Sequence, residues 1–92
     1  MTDQFYLQDS RDYVGNCVVW WRRGGGYTTR LDEAEKFSRD KAMGQHRCRE
    51  TDIPWPCSEV EPLVRPTVDV QFMRPIREQV AKLSAEKETS HD

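Results

Sequence analysis

Ninety-two residues, 36% apolar and 33% charged, suffice for one domain with a thin core. A formal net charge of −2 excludes a global field that would gather nucleic acid. Three cysteines argue against a disulfide framework, and no apolar run approaches the ~20 residues that span a bilayer. With no charged-then-apolar leader pattern either, these features point to a cytoplasmic protein with reduced thiols.

Gln4–Leu7 reads as a short first strand, with a polar turn over Gln8–Arg11. Cys17–Trp21 is the clearest strand, and its alternation puts Cys17, Val19 and Trp21 on one face and Val18 and Trp20 on the other. Both faces are apolar, so both need cover, and either Trp20 or Trp21 can serve the main core. Arg22–Gly26 reads as a hairpin turn whose glycines supply positive φ, and Tyr27–Thr29 as its return strand. Leu31–Phe37 is open between a short helix and an irregular edge. Ser38 is placed to cap a helix running to about Arg49, with Phe37 and Ala42 as a hydrophobic staple and Ala42, Met43 and His46 inward.

Pro54 and Pro56 bracket Trp55, so Glu50–Pro56 is expected to be a rigid loop. Thr67–Met73 alternates as a half-exposed strand, with Val68, Val70 and Phe72 inward. Pro75 suits the first turn of a last helix that packs Ile76, Val80 and Leu83 inward. The expected domain covers residues 1–84, with 85–92 a fraying polar tail. The fold class is α+β: a small three- or four-stranded, mostly antiparallel sheet with one or two packed helices.

Ten of the fourteen basic residues are arginines, the cation suited to interface ion pairs. Arg22, Arg23 and Arg30 lie near Trp20, Trp21 and Tyr27 in the hairpin, and the rigid segment Asp52–Pro56 presents Trp55. Tryptophan, tyrosine and arginine dominate binding hot spots. The expected partner-binding residues are therefore Arg22, Arg23, Tyr27, Arg30 and Trp55. The same cluster could stack unpaired bases, so a small nucleic-acid-binding module is the alternative.

No metal or cofactor is expected. The nearest approach to a ligand set is Cys17, His46, Cys48 and Cys57, which would make the chain a zinc-stabilised structural domain. It contains no Cys-x-x-Cys pair, and residues two apart on a helix do not converge on one ion. His46 with Cys48 or Cys57 could form a nucleophilic pair, but no motif orients the imidazole, and Gly24-Gly25-Gly26 lacks the Lys-Ser/Thr of a phosphate loop. The expectation is a non-enzyme.

Tyr6-Leu7-Gln8-Asp9-Ser10-Arg11, Tyr13-Val14-Gly15-Asn16, Trp20-Trp21 and Gly26-Tyr27-Thr28-Thr29 carry a resemblance that continues through Leu31, Ala34 and Ala42. It extends over Arg49-Glu50-Thr51-Asp52-Ile53-Pro54-Trp55-Pro56 and Val68-Asp69-Val70-Gln71. In these segments the chain resembles small accessory proteins encoded by phages and prophages, some of which antagonise bacterial defence systems. The resemblance implies the genomic context of a mobile element. Together with the small size, the missing catalytic apparatus and the arginine–aromatic hairpin, it leads to the expectation of a protein that binds and inhibits a host protein or protein complex. It brings no catalytic residues.

Overall fold

In the computed structural model, which describes residues 3–89, the sheet is built around one long strand, β1 (Gln4–Val14). Four strands join it: β2 (Cys17–Trp21), β3 (Tyr27–Thr28), β4 (Phe37–Ser38) and β5 (Asp52–Pro56). All pairings are antiparallel, with β3 on the outer edge of β2. Gln8 stands opposite both Trp20 and Ile53, and Phe5 opposite both Phe37 and Pro56. A strand has two edges, so β5 takes one edge of β1 while β4 and β2 share the other. The helices are α1 (Arg39–Cys48), α2 (Cys57–Val60) and α3 (Ile76–Thr89). The chain is thus α+β with an antiparallel sheet, as expected, but of five strands. No helix among the described residues is long and apolar enough to cross a membrane.

Five consecutive residues of β1, Phe5 to Asp9, are buried, which requires cover on both faces. On one face Phe5 and Leu7 pack with Ala42 of α1, flanked by Trp21 and Phe37. On the other, Tyr6 and Trp20 pack with Ala34 and Cys57 of α2, flanked by Val18, Leu31 and Val60. Trp20 and Trp21 therefore serve two different small cores. Neither core alone is large. Leu7, 1% exposed, is the largest fully buried apolar side chain and contributes roughly 2–3 kcal/mol by leaving water.

The first strand does not stop at Leu7. It runs through the expected turn at Gln8–Arg11, and the extra length is absorbed by a bulge in which Asp9–Asp12 face only Val19 of β2. The chain reverses instead at Gly15-Asn16, where Gly15 takes φ +60°, the glycine-first pattern of a tight hairpin. The glycine loop after Trp21 does turn the chain into β3, as its composition predicts.

Glu50–Pro56 is not a loop, because Asp52–Pro56 pairs along β1 from Asp9 to Phe5. The prolines fit this strand by parity. Ser10 N–H donates to Thr51 C=O at 3.0 Å, so the hydrogen-bonded register falls on Thr51, Ile53 and Trp55. Pro54 and Pro56, which lack an N–H, occupy the intervening pairs, and β5 is an edge strand. Leu31–Phe37 combines a 3-10 turn, Leu31–Glu33, with entry into β4 at Phe37. Ser38 caps α1 by accepting from Lys41 N–H at 3.3 Å, and Phe37 and Ala42 share a core, as expected of a staple. Met43, expected inward, is exposed.

The largest departure follows residue 63. Thr67–Met73 is not a strand; Val70–Phe72 forms a 3-10 turn, and Val68, Val70 and Phe72 all face solvent. The helix after Pro75 forms, but Ile76, Val80 and Leu83 are exposed too. Among the described residues no strand pairs with this segment, so its alternation meets no partner. The result is an arm, and the molecule extends 67 Å by 26 Å by 22 Å. The expected fraying tail is helical as far as Thr89; its last residues lie outside the described ones.

Candidate functional site

The five expected binding residues do not form one surface. Tyr27 is in register with Trp21, on the α1 face, whereas Trp55 is in register with Tyr6, on the α2 face. Arg23 donates to the carbonyl of Asp32 at 2.8 Å. Arg30 grips the Asp32 carboxylate with Nε at 3.1 Å and Nη2 at 2.8 Å, which holds that carboxyl below its ordinary range. Among the described residues, Arg22 is exposed with no hydrogen bond or ion pair at its guanidinium.

Tyr27 belongs to a polar network that sequence reasoning missed. Asp9 and Asp52 are buried cross-strand partners on the α1 face. Asp9 receives Arg11 through Nε and Nη2, both at 2.9 Å, and the Arg11 backbone N–H at 3.1 Å. Asp52 receives Arg49 Nε at 3.0 Å, Gln45 Nε2 at 2.9 Å and the Trp21 indole at 3.3 Å. The Tyr27 hydroxyl accepts from Arg11 at 3.3 Å and from Arg49 at 3.0 Å, closing the network. Two carboxylates and two guanidiniums balance in charge, and every polar atom named has a partner. This arrangement fixes the join of β1, β3, β5 and α1. Its sequence signals are two short-range pairs, Asp9 with Arg11 and Arg49 with Asp52, which the β1–β5 register brings together.

On the α2 face a different arrangement stands open. Gln8, itself buried, accepts the Trp55 indole N–H at 2.7 Å and donates its amide N–H to the Tyr13 hydroxyl at 3.2 Å. One amide thus holds two rings that are 41% and 55% exposed. The bulge makes this possible, since it returns Tyr13 to the same face as Gln8, opposite Val18. Beneath, Tyr6 meets Trp20 edge to face at 5.7 Å and donates to Glu61 Oε2 at 2.7 Å. Burial, reinforced by that bond, pushes the Tyr6 hydroxyl well above its ordinary pKa. Rings held by fixed polar anchors lose little freedom on docking, so this platform is suited to recognition. Trp55 was legible in the sequence; Tyr13 was not.

The four residues nearest to a zinc set are dispersed. Cys57 lies in the α2-face core under Tyr6 and Trp20, while His46 projects from α1 on the other face. A carbonyl can only accept, so the 2.9 Å contact of His46 Nδ1 with Asp52 C=O places the ring proton on Nδ1. No group of three His, Cys, Asp or Glu among the described residues is arranged to hold a metal ion. The same separation keeps Cys57 from His46, and Cys48 is exposed at the end of α1.

No family model, curated protein or solved structure matches this chain.

Proposed function

We propose that the chain is a non-catalytic accessory protein, of the kind that phages and other mobile elements encode, which binds and inhibits a protein or protein complex of its bacterial host. The supporting observation is the Trp55–Gln8–Tyr13 platform: two half-exposed aromatic rings locked in place by one buried amide. Rigid aromatic surface of this sort contributes more to protein binding than to any chemistry, because most of its ordering is complete before the partner arrives. Arg22, with its free guanidinium, is the hairpin cation best able to add a charged contact.

The nucleic-acid alternative draws less support from this geometry. Arg11, Arg30 and Arg49 each already meet a carboxylate, which leaves few cations near the rings to neutralise phosphates.

The test is affinity capture from bacterial lysate with the tagged chain, run beside Trp55→Ala and Tyr13→Ala. A host protein recovered in stoichiometric amount by the wild type and lost with both variants supports the reading. Equal recovery by all three rules out the platform as the site.

A further inference from the structure

The chain exposes more surface than a compact protein of its size, and its arm carries a run of exposed large apolar side chains. The chain presents 7590 Å² to solvent, against roughly 5,500 Å² for a compact monomer of its mass. Its radius of gyration is 19.7 Å, where about 12 Å is usual for this length. Phe72, Ile76, Val80 and Leu83 of the arm are among the exposed large apolar side chains. Every described side chain of α3 is exposed except Gln79, which is half-buried. A helix of 14 residues without a packed face is marginal in water, because nucleation is costly and only tertiary packing repays it.

The pattern on α3 says what fits. Ile76, Val80 and Leu83 follow the d-a-d spacing of a heptad seam, and Met73, Arg74, Ile76, Gln79 and Val80 line a shallow notch where the helix begins. A β-branched residue at a, Val80, with leucine at d, Leu83, is the two-stranded preference. The flanks carry Arg77 and Ser84 on one side and Gln79 and Glu86 on the other, so like helices meet without a block of one charge. The seam therefore matches a copy of itself.

We infer that α3 is a dimerisation helix: two copies of the chain pair seam to seam through Ile76, Val80 and Leu83. The arm then holds the two sheet domains apart, each with its aromatic platform free. This assignment is independent of the platform's role.

Sedimentation equilibrium of the full chain across the micromolar range tests it. The wild type is expected at about twice 10.8 kDa, Val80→Glu with Leu83→Glu at 10.8 kDa, and Ala85→Glu, on the opposite side of α3, at the dimer mass. All three substitutions are at exposed positions, so near-ultraviolet dichroism of the tryptophans should stay unchanged and report an intact sheet domain. A monomeric wild type, or a double variant that keeps the dimer mass, overturns the inference. Because the readout is mass rather than capture of a host protein, its failure is separate from failure of the proposed function.

Discussion

Asp9 and Asp52 face each other across the β1–β5 ladder, two buried carboxylates in register, each met by an arginine of its own. Placing two acids side by side is unfavourable unless each is neutralised. Arg11 and Arg49 do this, and both guanidiniums donate to the Tyr27 hydroxyl. Asp52 is 0% exposed, so Asp52→Ala leaves Arg49, Gln45 and the Trp21 indole without their acceptor. The expected cost is about 3 kcal/mol, toward the low end for a buried pair because the arginine is partly solvated. Urea unfolding followed by tryptophan fluorescence measures it; a change below about 1 kcal/mol would mean that the network is ornamental to the fold.

The other acid sets an acid limit. The Arg11 side chain, by hydrogen bond and charge, holds Asp9 below its ordinary carboxylate range despite burial. A depressed folded pKa means that the unfolded chain binds the proton more readily. Stability from this pair is therefore complete above about pH 4 and drains away as pH falls through the folded value. Unfolding midpoints measured from neutral pH downward should fall below pH ~4, and less steeply in Asp9→Asn, which has no carboxylate to protonate.

Core and arm should respond oppositely to the same kind of truncation. Leu7→Ala removes a side chain that is 1% exposed and should cost about 3 kcal/mol. Phe72→Ala removes a ring that is 84% exposed, so the sheet domain's tryptophan-detected unfolding should move by less than about 0.5 kcal/mol. Comparable losses at both positions would show that the arm folds back onto the sheet.

Thiol reactivity should rank by burial. Cys57 is buried, and burial raises its thiol pKa, with Glu61 adding to the effect. Cys48 is exposed at the end of α1. Iodoacetamide at mildly alkaline pH, followed by peptide mass analysis, should label Cys48 well before Cys57. Simultaneous labelling would place Cys57 at a surface.

What the sequence determined by itself was local. Five consecutive residues from Cys17 fixed β2 because both alternating sets are apolar, Ser38 fixed the start of α1 because its hydroxyl can cap, and the glycines fixed the hairpin because only they take positive φ cheaply. The α+β class follows from those elements. Tertiary structure decided everything that depends on which strand neighbours which. Gln8–Arg11 reads as a turn until Trp55, Tyr13 and Arg11 satisfy Gln8 and Asp9, and Asp52–Pro56 reads as a loop until β1 offers hydrogen bonds at the positions without proline. Thr67–Met73 alternates like a strand yet pairs with nothing, because period two records a willingness to be covered and leaves the covering surface unspecified. Both side-chain constellations, the acid–arginine network and the Trp55–Gln8–Tyr13 platform, arise from register and a bulge. The register and the bulge relate separate strands, so the short-range pairs Asp9–Arg11, Arg49–Asp52 and Gln8–Tyr13 join their constellations only once those strands have met.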